Sequence, residues 1–373
     1  MKITLGEVGT YINGYAFKPS DWGASGLPII RIQNLTNQNT IPNYFDGPYN
    51  SKFEVNKGDI LIAWSGSLGI HVWQKNKALL NQHIFRVEFD KCDIDKMYFY
   101  YAVKHNIHKM LHLTHGATMR HIIKSDFEQI VIPYPSLDIQ AKISKILNYL
   151  EQNIINYRAI LSKLDLLIKS RFVELFGDID CNTKNWPIIT LENLAELITD
   201  GEHSTPKRSN EGIYLLSARN ILNHSLKLDD VDYIDENEYS RISKRVIPKA
   251  GDILLSCSGS VGRCCVVPLE IKFQLVRSVA LIRFKSEITP IFAEYMITSD
   301  WFQRQINSLK TASSQANLFQ GRIKKLKGFV PDINLQYEFI KVVNQINKLK
   351  SDVQKSIDET QLLMDSLMQE YFG

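Results

Sequence analysis

His105, His108, His112 and His115 follow one another at spacings of three, four and three. Those steps put four imidazoles on one face of a helix, and imidazole is the commonest donor of a zinc site. No Asp, Glu or Cys stands among them. A partly exposed helix turned toward phosphates is the favoured reading, and a metal-dependent enzyme built on this face is its competitor. A second candidate is glycine-rich. GDILIAWSGSLG (58–69) and GDILLSCSGSVG (251–262) each place S-G-S-x-G after an apolar run, the setting of a phosphate cradle. A cradle needs a helix to open directly after its glycines, and none is signalled here. A tight strand–turn–strand connection is expected instead. Gly66, Gly69, Gly259 and Gly262 would shape the turn, and Asp59 and Asp252 would accept turn hydrogen bonds rather than form a catalytic pair. Five cysteines, Cys92, Cys181, Cys257, Cys264 and Cys265, are odd in number and form no CxxC pair. They read as buried or free thiols of a reducing compartment. GxxxxGK[ST], GxSxG and HExxH are absent, as are the FxGxG and Asx-Pro-Pro-aromatic segments of S-adenosylmethionine methyltransferases. The sequence offers no catalytic residue and no metal ligand to commit to.

The glycine-rich stretch says more by occurring twice. Eight of its twelve positions are identical across 193 residues. LPIIRIQNL (27–35) answers to IYLLSARNI (213–221), IFRVEF (84–89) to VALIRF (279–284), and HGATMRHI (115–122) loosely to ASSQANLF (312–319). Tyr134-Pro135 and Gln140 answer to Val330-Pro331 and Gln336, and SRFVELFGD (170–178) ends as SLMQEYFG (366–373) does. One unit of roughly 190 residues is written twice, and a period that long means duplicated domains, not a solenoid.

Each copy has two parts. In the first, short β-branched runs such as PIIRI, DILIAW, IFRVEF and IVIPY are bounded by Gly, Pro, Asn and Ser, which predicts strands joined by turns. Helices intervene near 95–112 and near 289–309, so the fold class is α+β. The second part is one long helix. Between Leu137 and Phe176 there is no Gly or Pro. Ile143, Leu147, Leu150, Ile154, Tyr157, Leu161, Leu164 and Ile168 form an a/d seam there. Ser136 or Asp138 can cap its start and Gly177 stops it. In the second copy Asp332 or Asn334 opens the helix. Ile346, Val353, Ile357, Met364, Leu367 and Tyr371 carry its seam, with Lys350 and Thr360 as polar interruptions that fix register. Neither stripe can be buried alone. The two helices are expected to pack antiparallel as a coiled coil with a globular domain at each end; folding back of each helix on its own domain is the alternative.

A formal net charge of +4 is mild, and hydrophobic and charged contents of 44% and 23% are those of a soluble globular protein. No apolar run reaches membrane-spanning length, and the start, MKITLGEV, has no signal-peptide core; a cytoplasmic protein is expected. Loops that differ between copies, NGYAFKPSDWGASG (13–26) against DGEHSTPKRSNEG (200–212), crowd hydrogen-bonding, basic and aromatic residues. These are the side-chain types that read base edges and phosphates. A pure protein scaffold that binds no nucleic acid stays open beside that reading.

The repeated [KA]-G-D-I-L-x-x-x-S-G-S-x-G, the P-x-I-R-x-x-N strand before it, the later G-A-T-x-x-x-I and the I-x-x-P-x-x-x-x-Q entry to a long helix resemble the DNA-specificity (S) subunit of type I restriction–modification systems. The resemblance covers both copies, although SSQAN replaces the glycine version of one segment in the second. It implies a non-catalytic subunit with a target-recognition domain at 1–136, a spacer helix at 137–178, a second recognition domain at 179–332 and a second spacer helix at 333–373. Each domain would read half of a bipartite, asymmetric site in double-stranded DNA. The helices would set the gap and dock two methyltransferase (M) subunits, with restriction/translocase (R) subunits completing the complex. S-adenosylmethionine, ATP and Mg would be bound only by those partners. Matching segments implies DNA contacts at Tyr15, Lys18, Ser20, Trp22, Arg31, Gln33, Asn34, Trp64, Ser65, Ser67, Gln82, His83, Thr118, Arg120 and His121. In the second domain it implies His203, Thr205, Lys207, Arg208, Arg219, Asn220, Ser258, Ser260, Arg263, Arg277, Gln315, Asn317 and Arg322.

Overall fold

A computed structural model describes residues 1–37, 39–112, 122–309 and 317–373. The chain divides into two compact units, Met1–Ile160 with Asp352–Gly373, and Leu161–Ser351. Each long helix contributes one stretch to each unit.

The first unit contains β1 (Lys2–Thr4), β2 (Thr10–Asn13), β3 (Leu27–Ile30), β4 (Asn43–Phe45), β5 (Glu54–Val55), β6 (Ile60–Ala63), β7 (Gly69–Val72), β8 (Ala78–Leu80), β9 (Ile84–Glu88) and β10 (Val131–Pro133). One sheet has the order β2-β9-β6-β7, a second β4-β3-β8-β5, and β1 pairs with β10. The apolar run ILIA of β6 is buried on both faces, as expected of a central strand. A helix at Lys96–His112 follows β9.

The second unit repeats this plan with β11 (Ile188–Thr190), β12 (Ala195–Asp200), β13 (Ile213–Leu216), β14 (Ile221–Leu222), β15 (Ser225–Leu226), β16 (Asp232–Ile234), β17 (Ile253–Ser256), β18 (Cys264–Val266), β19 (Phe273–Leu275), β20 (Val279–Phe284) and β21 (Lys327–Phe329). The order β12-β20-β17-β18 mirrors β2-β9-β6-β7. The one parallel pairing of each second sheet, β3 with β8 and β13 with β19, is also shared. The duplication read from the sequence is a duplication of topology.

Two local differences from expectation have physical causes. The helix expected near 289–309 is two helices, Pro290–Thr298 and Asp300–Leu309. Ser299 leaves the helical region (ψ 150°). Its hydroxyl donates to the Met296 carbonyl at 2.7 Å and accepts from the Phe302 amide at 3.3 Å, so one residue ends the first helix and caps the second. An unforeseen helix spans Glu236–Ser243, where the Asp235 carboxylate accepts from the Glu238 amide at 2.7 Å.

The long helices are Leu137–Phe176 and Ile333–Phe372, antiparallel within each unit. In the second unit Lys350 meets Asp165 at 2.6 Å and Arg171 meets Glu338 at 2.5 Å. In the first, Ile154, Glu151, Met364 and Met368 line one groove. Ile143, Leu147, Leu150 and Ile154 are buried at heptad spacing, and so is Ile357. Toward each C-terminus the step lengthens to four. Ile168, Phe172 and Phe176 are buried, and so are Met364, Met368 and Phe372, whereas Leu367 and Tyr371 are only partly buried. Steps of four rotate the stripe off the heptad seam and turn the last rings onto a domain. Phe176 packs on Phe292 and Phe329 of the second, and Phe372 on Tyr98 of the first.

Each long helix is pinned at its start by the same residue. Gln140 is fully buried. Its carbonyl oxygen accepts from the Asp95 amide at 3.0 Å and its nitrogen donates to the Pro135 carbonyl at 2.8 Å. Gln336, also fully buried, accepts from the Thr289 amide at 2.9 Å and donates to the Pro331 carbonyl at 3.1 Å. Asp95 and Thr289 begin the helices that follow β9 and β20, so this amide ties domain to spacer in both copies.

Candidate nucleic-acid interface

Before β6 and β17 the chain reverses through Gly58 (φ +92°) and Gly251 (φ +88°), in the left-handed region that favours glycine. Asp59 accepts from the Asn56 amide at 2.8 Å and Asp252 from the Lys249 amide at 2.8 Å. Asp252 also takes a two-pronged contact from Arg283 at 2.7 Å. Both carboxylates are turn-builders, as their spacing implied. After the strands, S-G-S turns at Gly66 and Gly259 (both φ +67°) lead into β7 and β18, antiparallel to the strands they follow. These are strand–turn–strand connections.

A returning segment runs beside each S-G-S turn. The Ile122 amide donates to the Trp64 carbonyl at 3.0 Å, and the Leu318 amide to the Cys257 carbonyl at 2.9 Å. Ser258 also bridges Asn317. In the first domain the Trp64 indole donates to Asn13 at 3.2 Å, stacks on Phe85 at 5.6 Å and approaches His83. Gln82 donates through its backbone to the Tyr15 carbonyl, and the half-exposed Tyr15 ring leans on Phe17 and Phe53. The Arg31 guanidinium lies 4.9 Å from the centre of Trp22, a cation–π contact. Lys18, Ser20, Gln33 and Ser67 are exposed nearby in sequence.

In the second domain His203, Thr205, Lys207, Arg208, Arg219, Ser260, Arg277 and Arg322 are exposed, and Arg263 is partly so. Arg322 donates to the Leu309 carbonyl. Thr118, Arg120, His121 and Gln315 lie outside the described residues, as do His115 and the side chains of His108 and His112.

Three expected contacts are corrected. Asn34 and Asn220 are buried, and their amides are committed to the backbone. Asn34 accepts from the Arg31 amide at 3.0 Å and donates to the Thr40 carbonyl at 3.2 Å. Asn220 accepts from the Ser217 amide at 3.0 Å and donates to the Lys227 and Asp230 carbonyls. In the Arg-x-x-Asn and Ser-x-x-Asn patterns the Asn oxygen reaches back to the amide at the start of a short helical turn, as the third residue of a capping box does. Ser65 is also buried.

Residues 1–165 match the family described as type I restriction modification DNA specificity domain. Along its length the chain is similar to type I restriction–modification specificity subunits. The EcoBI specificity subunit of Escherichia coli is 25% identical over 404 residues, covering 99% of this chain and 84% of that one. The MjaVIII specificity subunit of Methanocaldococcus jannaschii is 22% identical, covering 86% and 80%. The crystal structure of an S subunit from M. genitalium shares the fold with a TM-score of 0.60 at 18% identity, over 100% of this chain and 96% of that one. A structure from a study of complex assembly and conformational transition in the type I system gives 0.59 at 13% identity, over 100% and 97%.

Acidic residues organise the basic loop of the second domain, and the sequence reading missed them. Glu238 is buried, accepts from the Lys207 amide at 3.0 Å and holds Arg241 through two contacts of 2.9 and 2.8 Å. The Arg241 guanidinium, reinforced by the Lys207 amide, pulls the Glu238 carboxyl down to about 2 against burial, which opposes it. Asp200 holds His203 at 2.9 Å and Arg245 at 2.5 Å. Asp235-x-x-Glu238, a capping pattern, was the signal available for the helix that carries Glu238. Burial pushes the Cys257 and Cys265 thiols up to about 12 and holds the Cys264 thiol well above its ordinary value, so none of the three is a thiolate nucleophile at neutral pH. Among the described residues no three His, Cys, Asp or Glu side chains converge as a metal site would require, and no helix is long and apolar enough to cross a membrane.

Proposed function

We propose that the chain is the non-catalytic DNA sequence-specificity subunit of a type I restriction–modification complex and acts in the cytoplasm. Each recognition domain, 1–136 and 179–332, reads one half of a bipartite, asymmetric target. The spacer helices, 137–178 and 333–373, set the gap and dock two methyltransferase subunits, which restriction/translocase subunits join. The chain itself needs no cofactor; S-adenosylmethionine, ATP and Mg belong to the partners. One observation carries this reading: a single fold occurs twice, and the two copies present different side chains at equivalent surface positions. Readers of two unlike half-sites need that arrangement.

Docking is supported by apolar side chains on the helices that the chain leaves uncovered. Tyr149 and Leu362 are 66% and 72% exposed, and Leu166 and Leu349 are also exposed. Exposed apolar side chains of this size on both long helices are surface that a partner protein would cover. Sequencing base methylation in host strains with and without the gene tests the function. Modification at one interrupted sequence is expected only with the gene, and an unchanged methylation pattern refutes the reading. Gel shifts across a salt series test the scaffold alternative, because phosphate contacts impose a salt slope that a pure scaffold lacks.

A further inference from the structure

The internal repeat allows the two recognition surfaces to be compared position by position. The Gly23 amide donates to the Tyr44 carbonyl at 2.8 Å and the Ser209 amide to the Tyr233 carbonyl at 2.9 Å. The residues just before them, Trp22 and Arg208, are therefore equivalent. Asn34 and Asn220 build the same turn, so the residues before them, Gln33 and Arg219, are equivalent. Ile29 of β3 faces Asn43 of β4, and Leu215 of β13 faces Asp232 of β16, so Asn43 and Asp232 are equivalent.

The first domain thus has Trp22, Gln33 and Asn43 where the second has Arg208, Arg219 and Asp232. All three positions change together, from neutral to charged. In the second domain the three charges meet. Arg208 Nε lies 3.1 Å from Asp232 Oδ2, and Arg219 Nη2 lies 3.1 Å from Asp232 Oδ1, with Asp230 a further 3.7 Å partner. The two arginines come from different segments, are 52% and 48% exposed, and share one carboxylate that is only 28% exposed.

An acid that served only to hold β16 would have no reason to be absent from β4. Asn43 shows that the strand pairs without a charge at this position. The acid occurs where there are arginines to hold. An arginine carries large rotamer entropy when loose, but offers five donors in a rigid fork once oriented. Asp232 meets one nitrogen of each guanidinium, and each arginine side chain keeps about half of its surface exposed. That is the geometry for two neighbouring contacts to guanine edges or phosphates.

We propose that Asp232 is a positioning residue for recognition by the second domain, holding Arg208 and Arg219 side by side, and that this triplet determines specificity at adjacent base pairs of one half-site. The carboxylate also restrains non-specific binding, because it neutralises charge that would otherwise seek any phosphate. The proposal rests on the DNA-reading function given above.

The test uses the full chain assembled with its methyltransferase partners. The probes are a duplex carrying the sequence methylated in the host, its single-base variants in each half, and a random duplex. Asp232→Asn installs the residue of the sister position. It is expected to lower discrimination about tenfold at one or two adjacent base pairs of one half-site, to leave the other half-site unchanged, and to steepen the salt slope on random duplex by about one. Arg219→Lys keeps the charge and removes the fork, and is expected to lose discrimination at an overlapping set of base pairs. Unchanged discrimination in Asp232→Asn overturns the proposal, and so does equal loss in both halves. Should Asp232→Asn fail to assemble, Arg219→Lys decides alone, and normal discrimination there overturns it. Absence of any discrimination by the unmodified complex would instead strike the DNA-reading function itself.

Discussion

Phe176→Ala should be among the most damaging single substitutions in the second unit. The ring is fully buried at the end of the first long helix. Its centroid lies 4.8 Å from Phe292, 4.9 Å from Phe172, 5.6 Å from Phe339 and 6.1 Å from Phe329. Truncating a buried Phe costs about 3–5 kcal/mol. Edge-to-face partners add about 0.5–1.5 kcal/mol per pair beyond area, which places Phe176→Ala near 5 kcal/mol. Its counterpart Phe372 is also buried but, among the described residues, meets fewer rings, Tyr98 at 5.2 Å with His105 and Tyr371 farther off. Phe372→Ala should therefore cost about 1 kcal/mol less. Urea unfolding followed by Trp fluorescence is the assay, since the Trp186 indole donates to the Phe176 carbonyl at 2.7 Å and reports on this cluster. A cost for Phe176→Ala below about 2 kcal/mol, or a larger cost for Phe372→Ala, would refute the packing argument.

Ile357→Asp buries a charge in the seam and should cost at least about 3 kcal/mol, while Leu161→Asp, at a half-buried position, should cost about half that; equal thermal shifts would contradict the burial pattern. Gln336→Ala strands the buried Thr289 amide and should lower stability by about 2–3 kcal/mol, read as a fall in melting temperature. For Glu238 the sign follows from a depressed carboxyl: its contribution is present above pH 4.5 and lost as pH falls toward 2. Glu238→Gln should flatten that limb of the melting temperature against pH, and an unaltered acid limb would count against the Arg241 pair.

The repeat made most of the fold legible, because GDIL and SGS recur with the hydrogen bonds their residue types demand. The long helices were legible from unbroken apolar stepping. What escaped was positional. Asn34 and Asn220 have the chemistry of base readers, and only their burial shows that the backbone uses them. The change from heptad to four-residue steps at Ile168 and Met364 is written in the sequence, but its meaning depends on which ring waits at the end. Ser299 splits a helix because its hydroxyl finds two backbone partners, and an isolated Ser carries no such signal. Acidic residues of the second domain were passed over because recognition of DNA directs attention to cations, whereas an arginine fork is only as well aimed as the carboxylate that steadies it.

The boundaries between the compact units fall at Ile160 and Ser351, inside the two long helices. A protease searching for a loose connector between the halves finds hydrogen-bonded backbone at both crossings.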